Sequence, residues 1–407
     1  MKNWFKDIGP GVLIAAAFIG PGTVTVCTLA GNQYSFALLW AMVFSIIATI
    51  VLQEMSARLG LVSKMGLAKA VRTEIKTPAL RWVAIVLVMA AILVGNAAYE
   101  AGNISGGVLG LETIISETSF SIGSLSINIF SILIGVIAFI LLYLGSYKII
   151  EKSLVALVIL MSLSFLFTAI ITKPDMLAVL KGLIIPSFPD GSLLTIIALI
   201  GTTVVPYNLF LHASLVQEKW KGEGDIKKAK KDTIVSIILG GIVSMAIIIC
   251  AASIQTTKVS SAADLAMGLE PLFGNYAKYF MAIGLFAAGI TSAITAPLAA
   301  AYVARGCFNW KNDLKSKKFR LVWMLILVLG VVFSSTGIKP IEIIKFAQIA
   351  NGLLLPIIAG FLLWIMNRSS VLGSYKNTRL QNGIGLAIVL ITLVLGIKTI
   401  AKVFNLF

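Results

Sequence analysis

Apolar runs long enough to cross a hydrocarbon core alternate along this chain with short segments that carry nearly all of its charge. A spanning helix needs about 20 such residues. The pattern predicts eleven spans, at 10–35, 36–60, 80–110, 124–146, 151–172, 193–217, 232–255, 275–303, 319–336, 341–366 and 380–404. The fold class this implies is an all-α polytopic membrane protein. The opening MKNWFKD before an apolar run is signal-peptide-like, but the run contains glycine and proline and continues past any cleavage site. It is therefore expected to stay as span 1.

The connections orient the chain. Lys64, Lys69, Arg72, Lys76 and Arg81 follow span 2; Lys219, Lys221, Lys227, Lys228, Lys230 and Lys231 follow span 6; Arg305, Lys311, Lys315, Lys317, Lys318 and Arg320 follow span 8. The connections after spans 3, 5 and 7 carry Glu112 and Glu117, then Lys173, Asp175 and Asp190, then Lys258 and Asp264. The positive-inside rule places the N-terminus in the cytoplasm and, with eleven spans, the C-terminus outside a cytoplasmic membrane. Trp4, Trp40, Trp82, Trp220, Trp310 and Trp364 fall near span ends and are expected to form an interfacial belt. The Lys219 to Lys231 stretch reads as a solvated cytoplasmic loop, with a regulatory or lipid-contacting segment as the alternative.

Composition narrows the class. At 58% hydrophobic and 12% charged residues, with mean hydropathy +0.99, a soluble globular protein is excluded. The net charge of +16 lies in short segments between spans, without a basic domain, so it does not indicate nucleic acid. Cys27, Cys250 and Cys307 form no CxxC pair and read as packing residues. No nucleotide-binding loop or nucleophile–base constellation is present, which argues against an enzyme or an ATP-driven pump. No cofactor is expected.

Two spans are interrupted. Gly20, Pro21, Gly22 and Thr23 sit in the middle of span 1, and Pro206 sits in the middle of span 6 within IGTTVVPYNLFLHASLVQ. Proline removes a backbone donor and glycine permits non-helical dihedrals, so both spans should unwind. Unsatisfied peptide groups in lipid cost several kcal/mol each, roughly, which places the breaks at a protein-lined cavity. Spans 1 and 6 each open a set of five, and five is odd, so the two sets have opposite membrane orientation. Matched breaks in inverted repeats point to a midplane substrate site. The expected division is 1–175 for the first repeat, 176–370 for the second and 371–407 for an extra span.

Polar residues on the other spans extend the candidate site. Asn96, Glu100, Asn103 and Gly107 share a face of span 3. Glu100 is a carboxylate in an apolar span, by default a proton carrier, cation ligand or gating partner, with a structural hydrogen-bond role as the alternative. His212, the sole histidine, follows Asn208 by four residues and divides between a proton pathway and packing. Thr291 and Thr295 share a face of span 8, and Gln348 and Asn351 lie at helical spacing on span 10. Such residues are either inter-helix glue or, together, a polar route.

With these residues in view, the chain resembles the NRAMP family of metal-ion transporters. Val205, Pro206, Tyr207 and Asn208 followed by LFLHASLVQ resemble the family's Met-Pro-His-Asn core, and QEMSARLG at 53–60 and GLFAAGITSAITAPLAAAYVARG at 284–306 fit its style. The resemblance implies a LeuT-type 5+5 inverted repeat with an eleventh helix and unwound spans 1 and 6. It also implies alternating-access transport of a metal cation, as a proton symport where coupled. By the same resemblance His212 matches the family's second histidine, Glu100 its span-3 glutamate and Gln348 its span-10 glutamine. The family's Asp-Pro-Gly-Asn is Gly20, Pro21, Gly22 and Thr23 here; its metal-contacting alanine and methionine are Thr202 and Val205; its first histidine is Tyr207.

The expected substrate-binding set is therefore Gly20, Pro21, Thr23, Thr202, Thr203, Val205, Tyr207, Asn208 and Gln348, with Glu100, His212 and Asn96 as the coupling path. The expected metal ligands are replaced at Gly20, Thr23, Thr202 and Val205. Valine offers no thioether to a soft metal, and magnesium usually wants one or two carboxylates that Gly20 does not supply. High-affinity manganese or iron transport is therefore not expected. A hydrated ion, a monovalent ion or a small organic solute such as an amino acid stays open, the last because smaller span-1 side chains enlarge the site; a transport-inactive sensor stands third. The expected partners are the bilayer, a small ion or solute, and protons if transport is coupled. Direction, stoichiometry and oligomeric state are not set by the sequence.

Overall fold

Proline opens the described helices of spans 1, 3 and 10 and the second half of span 6, at Pro21, Pro78, Pro340 and Pro206. At a first helical position its missing N–H is one that a helix start leaves unbonded anyway, and its fixed φ suits the turn. The computed structural model describes residues 19–115, 119–122, 125–145, 148–254, 259–311 and 314–403. The expected first half of span 1, Trp4, Glu117 and Lys258 lie outside these residues.

Within them every expected span is helical: Pro21–Tyr34 for span 1, then Leu39–Ser63, Pro78–Glu112, Ile129–Leu144 and Lys148–Ile171 for spans 2 to 5. Span 6 is two helices, Leu193–Thr203 and Pro206–Lys219. Spans 7 to 11 are Ile226–Ala251, Ala277–Phe308, Lys317–Ser334, Pro340–Ile365 and Arg379–Val403. Among the described residues, eight helical segments are long and apolar enough to cross a bilayer. Span 4 is a shorter apolar helix, and span 9 opens with Lys317, Lys318 and Arg320.

Three details differ from the expected pattern. Span 4 starts at Ile129, because residues before it form a hairpin of β1 (Ser119–Ile122) and β2 (Leu125–Asn128), paired Ser119 with Asn128 through Ile122 with Leu125. Asn128 then caps the helix, its side chain accepting from the Phe130 N–H at 2.9 Å. Span 7 starts at Ile226, so Lys227, Lys228, Lys230 and Lys231 ride its first turns rather than a loop. Asp225 at its N-cap position pairs with Lys228 at 3.1 Å. Trp220 is not interfacial but buried, packed with Leu61 and Val216 where spans 2 and 6 meet. Trp82 is 57% exposed, as a belt residue should be.

Spans 1, 2, 6 and 7 form one group and spans 3, 4, 8 and 9 another. Span 1 packs on span 7 as the second half of span 6 packs on span 2; span 5 packs on span 8 as span 10 packs on span 3; spans 2 and 7, and 3 and 8, pair directly. This is the pattern of a twofold that exchanges the first five spans with the next five. Glycines let these crossings close. Gly31 meets the Ile248 carbonyl between spans 1 and 7, Gly60 the Ala213 carbonyl between spans 2 and 6, and Gly289 the Gly107 backbone between spans 8 and 3. Without a hydrophobic driving force between helices in lipid, such backbone approach supplies the dispersion contacts. At the end of span 2, Arg58 pairs with Glu54 at 3.1 Å and donates to the Tyr375 carbonyl and the Asn377 carboxamide oxygen, tying span 2 to the segment that precedes span 11.

A Cβ added at Gly60 falls on the Ala213 carbonyl, whereas one at Gly360 meets nothing within 4 Å. Gly60→Ala should therefore cost about 1–3 kcal/mol through overpacking. Gly360→Ala should be neutral or gain up to about 1 kcal/mol from helix propensity. Thermal unfolding of the detergent-purified protein distinguishes the two; equal midpoints would contradict the close crossing of spans 2 and 6.

Candidate functional site

The two breaks face each other. Gly20 is extended, with φ −113° and ψ −172°, immediately before the helix that begins at Pro21. Val204 (φ −93°, ψ 71°) and Val205 (φ −74°, ψ 119°) interrupt span 6 before Pro206 restarts it. One turn inside each helix, Thr23 and Thr202 bring their hydroxyl oxygens to 2.8 Å, with both residues fully buried. This hydrogen bond joins residues 179 apart in sequence and closes the gap between the half-helices.

Spans 8 and 10 complete the surroundings. A Cβ built on Gly20 would lie 3.0 Å from the Ser292 hydroxyl oxygen, and one on Gly22 would fall on the Gln348 carboxamide. Ser292 and Gln348 are each 1% exposed, and among the described residues the Ser292 Oγ and Gln348 Oε1 atoms have no hydrogen-bond partner. Gln348 reaches the break because spans 6 and 10 cross closely, Gly201 lying against the Gln348 carbonyl and Gly352 against that of Ile197. The neighbourhood is thus oxygen-rich and neutral. Among the described residues no group of three or more His, Cys, Asp or Glu side chains converges to hold a metal ion. The expected enlargement at the glycines does not occur, because Ser292 and Gln348 fill the space their missing side chains leave.

The other expected residues divide. Pro21 packs on Gly106 of span 3. Val205 is buried, and its carbonyl accepts from the Asn208 N–H at 3.0 Å. Asn208 is fully buried just beyond the break, with both carboxamide atoms unpaired. Tyr207 meets Tyr99 edge-on, ring centroids 5.3 Å apart. Thr203 turns away: its hydroxyl donates to Leu199 O of its own helix at 3.1 Å and faces Met42 of span 2.

The span-3 stripe also points elsewhere. Asn96 donates to the Ala296 carbonyl of span 8 at 2.8 Å, a bond that joins two helices. Glu100 is fully buried beside Gly330 of span 9, with Oε2 accepting from Asn103 at 3.4 Å and Oε1 unpaired. The face that span 3 turns to the breaks is instead Tyr99 and Gly106. His212 lies on the other side, its Nδ1 2.8 Å from the Gln53 side-chain oxygen of span 2 and its Nε2 unpaired and buried. Thr291 and Thr295 spend their hydroxyls on the carbonyls four residues back and join no other helix. Sequence reasoning missed Ser292, Tyr99 and Gln53. Ser292 stands next to Thr291, and only the rotation of span 8 decides which of the two faces Gly20.

Beyond His212, a cavity of about 820 Å³ opens between the second half of span 6, the end of span 8 and the span 2–3 connection. Phe210, Ser214 and Gln217 line it from span 6, and Tyr302 and Arg305 from span 8.

Residues 11–402 match the sequence model of the Nramp family, described as natural resistance-associated macrophage protein-like. A divalent metal cation transporter MntH of Staphylococcus saprophyticus is similar at 27% identity, over 99% of this chain and 93% of that protein. Among solved structures, a mutant of the Eremococcus coleocola manganese transporter superposes with a TM-score of 0.76 at 22% identity, covering 98% of this chain and 87% of that one. MhsT in complex with L-phenylalanine superposes at 0.59, with 15% identity over 95% and 97% of the two chains. These likenesses establish a LeuT-type inverted-repeat fold in a multi-pass membrane protein whose relatives are transporters rather than enzymes. With a family match running over almost its whole length, broken spans 1 and 6 included, the chain belongs to the Nramp family.

Proposed function

We propose that this chain is a secondary transporter that moves a small cation by alternating access around the breaks in spans 1 and 6. The cytoplasmic membrane is its site, with the N-terminus inside and the C-terminus outside. The division at about residue 175 into repeats of five spans, with span 11 added, accounts for the exchangeable contacts of spans 1 with 7 and 6 with 2. The cation class rests on the family and on relatives whose name is divalent metal cation transporter. One observation carries the site's character: Thr23, Thr202, Ser292 and Gln348 meet at the breaks and offer only neutral oxygens and amide groups.

Neutral oxygens suit a hard cation that keeps part of its hydration shell. They do not suit high-affinity selection of manganese or iron, for which Gly20, Thr23, Thr202 and Val205 lack the carboxylate, carboxamide or thioether. A bulky organic solute fits less well, since Ser292 and Gln348 already occupy the space beside Gly20 and Gly22. A cation entering a neutral site also needs its charge balanced. Glu100 is the buried carboxylate nearest in role to that task, one span removed from the breaks and in the group of spans 3, 4, 8 and 9.

In proteoliposomes, uptake should be measured for manganese, magnesium, monovalent cations and an amino-acid mixture, with and without a proton gradient. Uptake of magnesium or a monovalent cation is expected, with no saturable manganese uptake at low micromolar concentration. Robust high-affinity manganese uptake would show that the replaced ligands are not needed, and uptake confined to amino acids would overturn the cation assignment.

Glu100→Gln keeps the shape of the side chain but removes its titratable oxygen. Gradient-driven uptake by this variant should fall to the level of empty liposomes while its size-exclusion profile stays that of the parent. An unaltered pH dependence of uptake would remove Glu100 from coupling.

A further inference from the structure

The short helix between spans 2 and 3, Leu67–Glu74, buries Leu67, Ala68, Ala70 and Val71 and leaves Lys69 and Thr73 exposed and Arg72 half-buried. Arg72 crosses to span 8 and donates Nη1 to the Cys307 carbonyl at 2.7 Å. Arg81, at the start of span 3, folds back to donate to the carbonyls of Ile75 and Lys76 at 2.8 and 3.0 Å. These bonds hold both guanidinium groups in place without neutralising them. Together with Lys69, Thr73, Lys76 and Asn309 they line a groove of about 410 Å³ whose wall, among the described residues, contains no carboxylate. Glu74, the acid on the same helix, is outside this lining and accepts from the Ser370 hydroxyl at 2.7 Å.

Four cations around one groove repel each other unless an anion joins them. The surface beside them says which kind. From Leu80 onward, span 3 turns Leu80, Trp82, Val83, Val86 and Leu87 outward, each at least 46% exposed. That strip faces lipid, and Trp82 marks the level of the headgroups. The basic groove therefore opens at headgroup depth directly beside a path for acyl chains. Lys and Arg at such positions attract anionic lipid over zwitterionic lipid.

We propose that this groove binds the phosphate headgroup of an anionic phospholipid, with its acyl chains along the exposed face of span 3. Lys69, Arg72, Lys76 and Arg81 supply the charge, and Asn309 a neutral hydrogen bond. Because Arg72 and Asn309 bind the groove to the end of span 8, the lipid also clamps the span 2–3 connection against that span. The headgroup assignment is independent of the cargo and of coupling. Placing it in the cytoplasmic leaflet rests on the orientation proposed above.

The full chain in detergent, mixed with equal amounts of phosphatidylglycerol and phosphatidylcholine of identical acyl chains, can be examined by native mass spectrometry. Phosphatidylglycerol should be retained preferentially. Lys69→Gln with Lys76→Gln changes only exposed side chains and should cut that preference on the order of tenfold. Lys69→Arg with Lys76→Arg should keep it, as should Lys227→Gln with Lys231→Gln, which removes equal charge from span 7. Inorganic phosphate at low millimolar concentration should not displace the lipid. Equal retention of the two lipids, equal losses in the span-7 control, or displacement by phosphate alone would each overturn the proposal, the last in favour of a free anion.

Discussion

A broken helix in a bilayer leaves peptide N–H and C=O groups where no water can take the place of their lost partners, and each such group costs several kcal/mol, roughly. Everything around Gly20 and Val204–Val205 follows from that constraint. Both breaks lie fully inside the protein, flanked by spans 3, 8 and 10. The Thr23–Thr202 hydrogen bond links the two half-helices directly, and Ser292 and Gln348 fill the space beside Gly20 and Gly22. These four side chains are the ones gathered at the breaks.

Holding two breaks side by side requires helices to approach more closely than ordinary side chains permit. Gly31, Gly60, Gly201, Gly289 and Gly352 meet neighbouring backbone at distances no Cβ would allow. They fall within the group of spans 1, 2, 6 and 7, within that of spans 3, 4, 8 and 9, and between spans 6 and 10. Span 3 is the hub of its group, with span 8 on one side, span 9 beside Glu100 and span 10 beside Gly102. Its Tyr99 and Gly106 meet Tyr207 and Pro21 of the other group. The alternating-access motion proposed above would pass through these small or flat contacts.

The charge pattern has a parallel logic at the membrane surface. The basic connection after span 2 is joined to the last turn of span 8, through Arg72 on the Cys307 carbonyl and Gly306 against Ala68.

The amino-acid sequence by itself determined the spans, their number, the two breaks and the inverted repeat, since each follows from local length, hydropathy and the backbone limits of proline and glycine. It also revealed the candidate residues Thr23, Thr202 and Gln348 through their positions beside those breaks. Which polar residues converge was decided only by tertiary structure, because helix rotation is set by packing partners far away in the chain. That rotation turns Ser292 rather than Thr291 toward Gly20, faces Thr203 to Met42, and spends Asn96 on the Ala296 carbonyl. It also fills the space beside Gly20 and Gly22, which the absence of side chains alone had suggested was open. Hydropathy records which surface is buried; it carries no record of which neighbour buries it.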